Sequence, residues 1–135
     1  MNAHKLKILV AIMIMILAAL ACGGSFSTAK ISSAQLTADE AGTQATTVFA
    51  QDQMFYLIVE LANAPEDTKL KAVWTAVEVE GEQPNLLLDQ AEVTVGNQNV
   101  FTFNMSNNQL WPTGKYKVDL YLNDVLDRTL EFEVR

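Results

Sequence analysis

Histidine and cysteine are nearly absent from this 135-residue chain: His4 is the only histidine and Cys22 the only cysteine. No acidic residue precedes Asp39, and no stretch after Cys22 sustains a 3.6-residue apolar period. Each absence excludes something. Beyond residue 22 the chain cannot build a Ser-His-Asp or Cys-His nucleophile, a zinc site needing His or Cys, or a histidine-ligated haem. It cannot close an internal disulfide, so its core must hold by packing alone. The missing helical period leaves no amphipathic helix to expect.

What is present begins with His4, Lys5 and Lys7, followed by the 14-residue apolar run 8–21. That run fits the ~7–15 residues of a secretory signal and falls short of the ~17–25 that span a bilayer. Its end, Leu17-Ala18-Ala19-Leu20-Ala21-Cys22, resembles the lipobox of bacterial lipoproteins, with leucine one position later than the family usually has it. The resemblance implies cleavage between Ala21 and Cys22 and a diacylglycerol on the cysteine sulfur. It implies a membrane anchor outside the cytoplasm, on the cell membrane or the outer membrane. An uncleaved N-terminal anchor, or cleavage by the ordinary signal peptidase, are the alternatives. Gly23–Thr28 reads as a short flexible spacer. The expected organisation is a signal peptide over 1–21, a lipidated cysteine and tether over 22–29, and one domain over 30–135.

After Cys22 there are 7 basic against 16 acidic residues, a net charge of −9. Such a surface repels phosphate backbones and anionic headgroups, which argues against nucleic acid and against a polybasic membrane patch.

From Lys30 onward the chain alternates with period two. Phe55, Leu57, Val59 and Leu61 share one face, as do Leu70, Ala72, Trp74 and Ala76. Phe101, Phe103 and Met105 follow, then Tyr116, Val118, Leu120 and Leu122, and finally Leu126, Leu130, Phe132 and Val134. Turn residues separate them at 63–67, 81–85, 96–99 and 111–114. Leu86–Val95 is a further strand with less clean alternation. Ile31–Leu36 and Thr46–Phe49 are candidates for a first strand split around the 39–44 loop. About seven short strands of this kind predict an all-β antiparallel sandwich.

Trp74 on the third main strand, and Tyr116 two residues before an inward Val118, resemble the buried tryptophan and tyrosine corner of immunoglobulin-like domains. The stretch from Trp111 through Val134 is similar to the end of such domains in bacterial surface lipoproteins. The resemblance implies that Val59 and Val118 stand where bridging cysteines would be. It specifies a fold and carries no function.

The last hairpin contains a parity conflict. A two-residue Asn123-Asp124 turn would send Asp127 and Thr129 inward, against the pattern of Leu126, Leu130 and Phe132. A three-residue loop or a bulge near Val125 is therefore expected. Arg128 should then lie toward the core face near the sheet's end, in a salt bridge.

The acidic residues Glu78, Glu80 and Glu82, and Asp119, Asp124 and Asp127, lack the spacing of a calcium loop and read as solvated surface. No cofactor or metal is expected, and no catalysis. Two apolar sites are candidates for binding. One is a sheet face of Val73, Val77 and Val79, extended by Tyr121 and by Tyr56 and Ile58 if their strands are neighbours. The other is the Ser106–Gly114 loop with Leu110 and Trp111 near its tip. Trp111 plugging the sandwich end beside Tyr116 is the competing reading. The expected function is a lipid-anchored, non-catalytic binding or assembly module of the cell envelope, with an envelope protein or surface ligand as partner. A small protease-inhibitor-like sandwich, or a calcium-dependent accessory or sensory lipoprotein, are the alternatives.

Overall fold

The computed structural model describes residues 28–135. The expected signal peptide over 1–21, the expected cleavage between Ala21 and Cys22, the expected lipidation of Cys22 and the first part of the expected tether lie outside the described residues. Eight strands follow in order: β1 (Lys30–Thr37), β2 (Val48–Phe49), β3 (Phe55–Ala62), β4 (Lys69–Val79), β5 (Leu86–Thr94), β6 (Val100–Met105), β7 (Gly114–Leu122) and β8 (Val125–Val134). They form an immunoglobulin-like sandwich of a three-stranded sheet, β1-β3-β6, on a five-stranded sheet, β2-β8-β7-β4-β5.

The split first strand divides between the sheets. β1 runs antiparallel to β3, whereas β2 lies parallel to β8. The loop between them is tied by Asp39, whose carboxylate accepts hydrogen bonds from the Thr43 amide, the Thr43 hydroxyl and the Gln44 amide. Those bonds, first the Thr43 hydroxyl, lower the Asp39 pKa. Gly42, at φ 77°, lies so close to Ile58 that a Cβ there would collide with it.

Inward residues of both sheets make one core. Trp74 is 2% exposed, and Val59 and Val118, one in each sheet, are fully buried. Six rings gather in one half of it. Phe55 lies 4.8 Å from Phe49, 4.6 Å from Trp111, 4.9 Å from Phe132 and 5.8 Å from Tyr116, with Trp74 at 6.5 Å. Edge-to-face and offset pairs of this kind add to the apolar burial. The half toward the Asn123-Asp124 turn is filled chiefly by aliphatic side chains such as Leu61, Leu70 and Leu120.

Bulges explain where simple alternation fails. Ser32 is an extra residue in β1, so Ile31 and Leu36, of opposite parity, both point inward. Val77 is extra in β4 opposite β7, which turns Val79 into the core. The final hairpin has the two-residue turn, with Asn123 at φ 50° and Asp124 at φ 67°, both in the left-handed region. Its bulge falls at Asp127 rather than near Val125, pairing Tyr121 with Leu126 and Leu120 with Arg128. Leu126 is therefore 52% exposed and does not join the core, contrary to the period-two reading, while Leu130, Phe132 and Val134 do turn inward.

Candidate functional site

The Ser106–Gly114 segment leaves β6 and returns to β7 at one end of the sandwich. Trp111 does not stand out from it. It is 6% exposed and stacks on Phe55 with an interplanar angle of 24°. Its Nε1 donates to Gln53 O at 3.0 Å and its amide to Gln51 O at 2.8 Å, while Gln51 Nε2 donates to Trp111 O at 2.9 Å. Trp111 is thus a plug that laces this loop to the turn between β2 and β3, not an exposed anchor. The reason is geometric: Phe55, at the start of β3, lies at this end of the core, and the Trp111 ring stacks over it.

Beside the plug, the Tyr116 hydroxyl donates to Pro112 O at 2.6 Å, which completes the tyrosine corner. Burial raises the Tyr116 pKa to about 12, with a smaller contribution from the Glu82 charge. Gly114, at φ 143°, passes so near the Glu78 and Val79 backbone that no Cβ would fit.

Leu110, next to the plug, is 62% exposed. Between its loop and the turn 51–54 lies an open cleft of about 440 Å³. Gln51 and Gln53 line one side and Asn107, Asn108 and Gln109 the other, with Met54 and Leu110 as the apolar parts. Sequence reasoning found one wall through Leu110 and Trp111 and missed the other. The pair Gln51 and Gln53 between two buried phenylalanines was a visible but weak signal, because nothing in the sequence brings it to a loop over fifty residues away.

The expected apolar sheet face does not form as one surface. Tyr56 and Ile58 lie on β3 of the three-stranded sheet, whereas Val73, Val77 and Tyr121 belong to the five-stranded sheet. These are opposite outer faces of the sandwich. Val79 is removed from the set by the bulge at Val77. Val73 and Val77 are half-buried among polar neighbours. Lys71 Nζ lies 4.8 Å above the Tyr121 ring, and Lys117 reaches Asp119 Oδ2 at 3.3 Å. Asp119, which pairs with Val73 in register, also accepts a hydrogen bond from the Thr129 hydroxyl. That face is a lattice of charge and hydrogen bonds with apolar patches inside it.

Arg128 meets its expected place. Its Nε pairs with Asp127 Oδ2 at 2.7 Å, and its Nη2 donates to Ile31 O at 2.8 Å, tying the two sheets together. Among the described residues no three His, Cys, Asp or Glu side chains come together as a metal-binding group. The acidic strand and loop residues are spread over the surface except Asp119, which was expected there but is 8% exposed, held by Lys117 and Thr129.

No protein-family model matches the chain, and no curated protein matches it. Solved structures do. The chain is similar to an immunoglobulin-like protein from Pseudomonas aeruginosa, at 18% identity and a TM-score of 0.56 over 83% of this chain and 100% of that one. It is similar to part of the alkylpurine DNA glycosylase AlkC from Pseudomonas fluorescens, at 16% identity and a TM-score of 0.53 over 81% of this chain and 31% of that one. A third likeness is to the C-terminal domain of Wzt, at 12% identity and a TM-score of 0.51 over 82% and 75% of the two chains. At such identities the likeness is one of fold, and the fold is an immunoglobulin-like sandwich.

Proposed function

We propose that this chain is a lipid-anchored, non-catalytic binding module of the bacterial cell envelope, and that it binds through the cleft between residues 51–54 and 106–111. The observation that carries the reading is the placement of tether and cleft at opposite ends of β3. The Thr28 hydroxyl donates to Asn63 O, and Lys30 pairs with Ala62, so the chain enters at the end of β3. The cleft borders the start of β3, where Phe55 pairs with Met105. Eight residues of strand separate them, roughly 25 Å. A lipid on Cys22 would hold the first end near the bilayer and leave the cleft facing away from it. The lack of histidine and of any second cysteine after Cys22 supports a role without catalysis.

Two measurements test this. Metabolic labelling with palmitate should mark the wild-type protein and not the Cys22→Ala variant; equal labelling of both rejects the anchor. Crosslinking in the native envelope should yield a defined adduct at the cleft, reduced at least fivefold by Leu110→Asp. An adduct that persists in this variant removes the cleft as the site.

The protease-inhibitor reading keeps one supporting observation: Leu110 stands exposed beside a residue that three hydrogen bonds pin in place. Inhibition of a serine or cysteine protease by the wild type, lost in Leu110→Asp, would favour it over the assembly role.

A further inference from the structure

We infer that the cleft between 51–54 and 106–111 takes a neutral saccharide. This deepens the reading of the cleft as the binding site and rests on it.

The inference starts from what lines the cleft. Carboxamides dominate, in a domain whose surface is otherwise strongly acidic. No lysine or arginine lines it, so it offers no cation to pair with a phosphate or carboxylate. Asp52 is its only carboxylate, too little for a hard cation, which takes six to eight oxygens. A carboxamide both donates and accepts, and so does a hydroxyl. A ring bearing several neutral hydroxyls matches that set, and Met54 and Leu110, 38% and 62% exposed, can meet its C–H face.

Two of the amides are held in advance. Gln51 spends its Nε2 on Trp111 O, which leaves Oε1 as an acceptor with no partner among the described residues. Gln53 spends its Oε1 on the Ala50 amide at 2.6 Å, which leaves Nε2 as a donor. One wall therefore holds a fixed acceptor, through the bond of Gln51 to Trp111 O, and a fixed donor, through the bond of Gln53 to the Ala50 amide. Fixing them in the free protein lowers the entropy cost of binding. On the facing wall, the side chains of Asn108 and Gln109 are exposed and make no hydrogen bond among the described residues. They can close on a bound ring. The Trp111 ring is occupied by Phe55, so no aromatic platform is open and a single sugar should bind weakly. Several sites on a membrane facing a polymer would raise the avidity without any new contact.

The test uses the full chain in detergent micelles and affinity electrophoresis through gels holding a neutral glucan, mannan, galactan or chitin oligomer, with polygalacturonate as the acidic counterpart. At least one neutral polymer should retard the protein and polygalacturonate should not. The double variant Asn108→Ala/Gln109→Ala should cut the retardation at least fivefold with its unfolding midpoint unchanged, because neither side chain supports the fold. Gln51→Met should weaken it as well, and is compared at matched stability. No retardation by any neutral polymer, or retardation the double variant does not alter, overturns the saccharide. If the cleft variants instead abolish a defined protein crosslink, the binding module survives and its ligand class is wrong. If neither readout moves, both readings fail.

Discussion

The two ends of the sandwich are held by different chemistry. At the cleft end, six aromatic rings, the Trp111 plug among them, and the tyrosine corner close the core, and the 106–114 loop is laced to the 51–54 turn. At the tether end the core is mainly aliphatic, and closure comes from tight turns and cross-strand hydrogen bonds such as that from the Lys69 amide to Asn123 Oδ1. The difference matters because a loop that keeps its side chains exposed can still be held in one conformation. Here a buried tryptophan supplies the rigidity, and the exposed amides around it are left available. The tether end needs only to keep its strands in register.

The largest effects should come from the ring cluster. Phe55→Ala and Trp74→Ala should each cost roughly 3–5 kcal/mol, the range for large aromatic truncations in cores. Phe55→Ala should also release Trp111, seen as a red shift of its fluorescence before global unfolding. Losses under about 1 kcal/mol, measured by denaturant unfolding, would mean that this end is not closed by stacking.

Next comes the corner. Tyr116→Phe should cost roughly 1–2 kcal/mol, because Pro112 O loses a buried donor. It should also change the alkaline limb of the stability profile. Between pH 10 and about 12 the unfolded chain has lost the phenolic proton while the folded chain keeps it. Unfolding is then favoured as pH rises, with the stabilisation intact below pH 10 and lost progressively towards pH 12. The Phe variant should lack that component. Identical profiles from pH 9 to 12 would remove it.

The tether end should respond less. Asn123→Ala should cost about 1 kcal/mol, combining the lost bond to Lys69 with a left-handed φ that alanine resists. Asn123→Gly should recover the backbone part alone. Equal stability of the two variants would show that the bond, not the conformation, matters.

The smallest effect is expected at Leu126. Because the bulge turns it outward, Leu126→Ser should stay within about 0.5 kcal/mol, whereas Leu130→Ser should cost clearly more. Equal losses would restore the inward reading of Leu126 and move the bulge.

Most strand identities were legible because period-two alternation is local: Phe55 to Leu61 and Tyr116 to Leu122 needed only their own side chains to be read. The split of the first strand was visible in the polar 39–44 interruption, and the tyrosine corner in the spacing of Tyr116 and Val118. Val79 and Leu126 were misread for one reason. A bulge inserts a single residue and reverses parity downstream, and it is fixed by the partner strand rather than by the strand's own sequence. Trp111 was ambiguous because a tryptophan in a loop is equally apolar as a plug or as an anchor.

By itself, then, the sequence determined the all-β character, the strand positions, the absence of histidine and cysteine chemistry beyond residue 22, and the acidic balance. These are properties of residues and their immediate spacing. Only the tertiary structure decided which strands share a sheet, and so that Ile58 and Val73 lie on opposite outer faces. It alone decided that Trp111 is buried and that Gln51 and Gln53 meet the 106–111 loop. Those outcomes depend on contacts between segments tens of residues apart, where closing the core against Phe55 outweighs the preferences of the loops themselves.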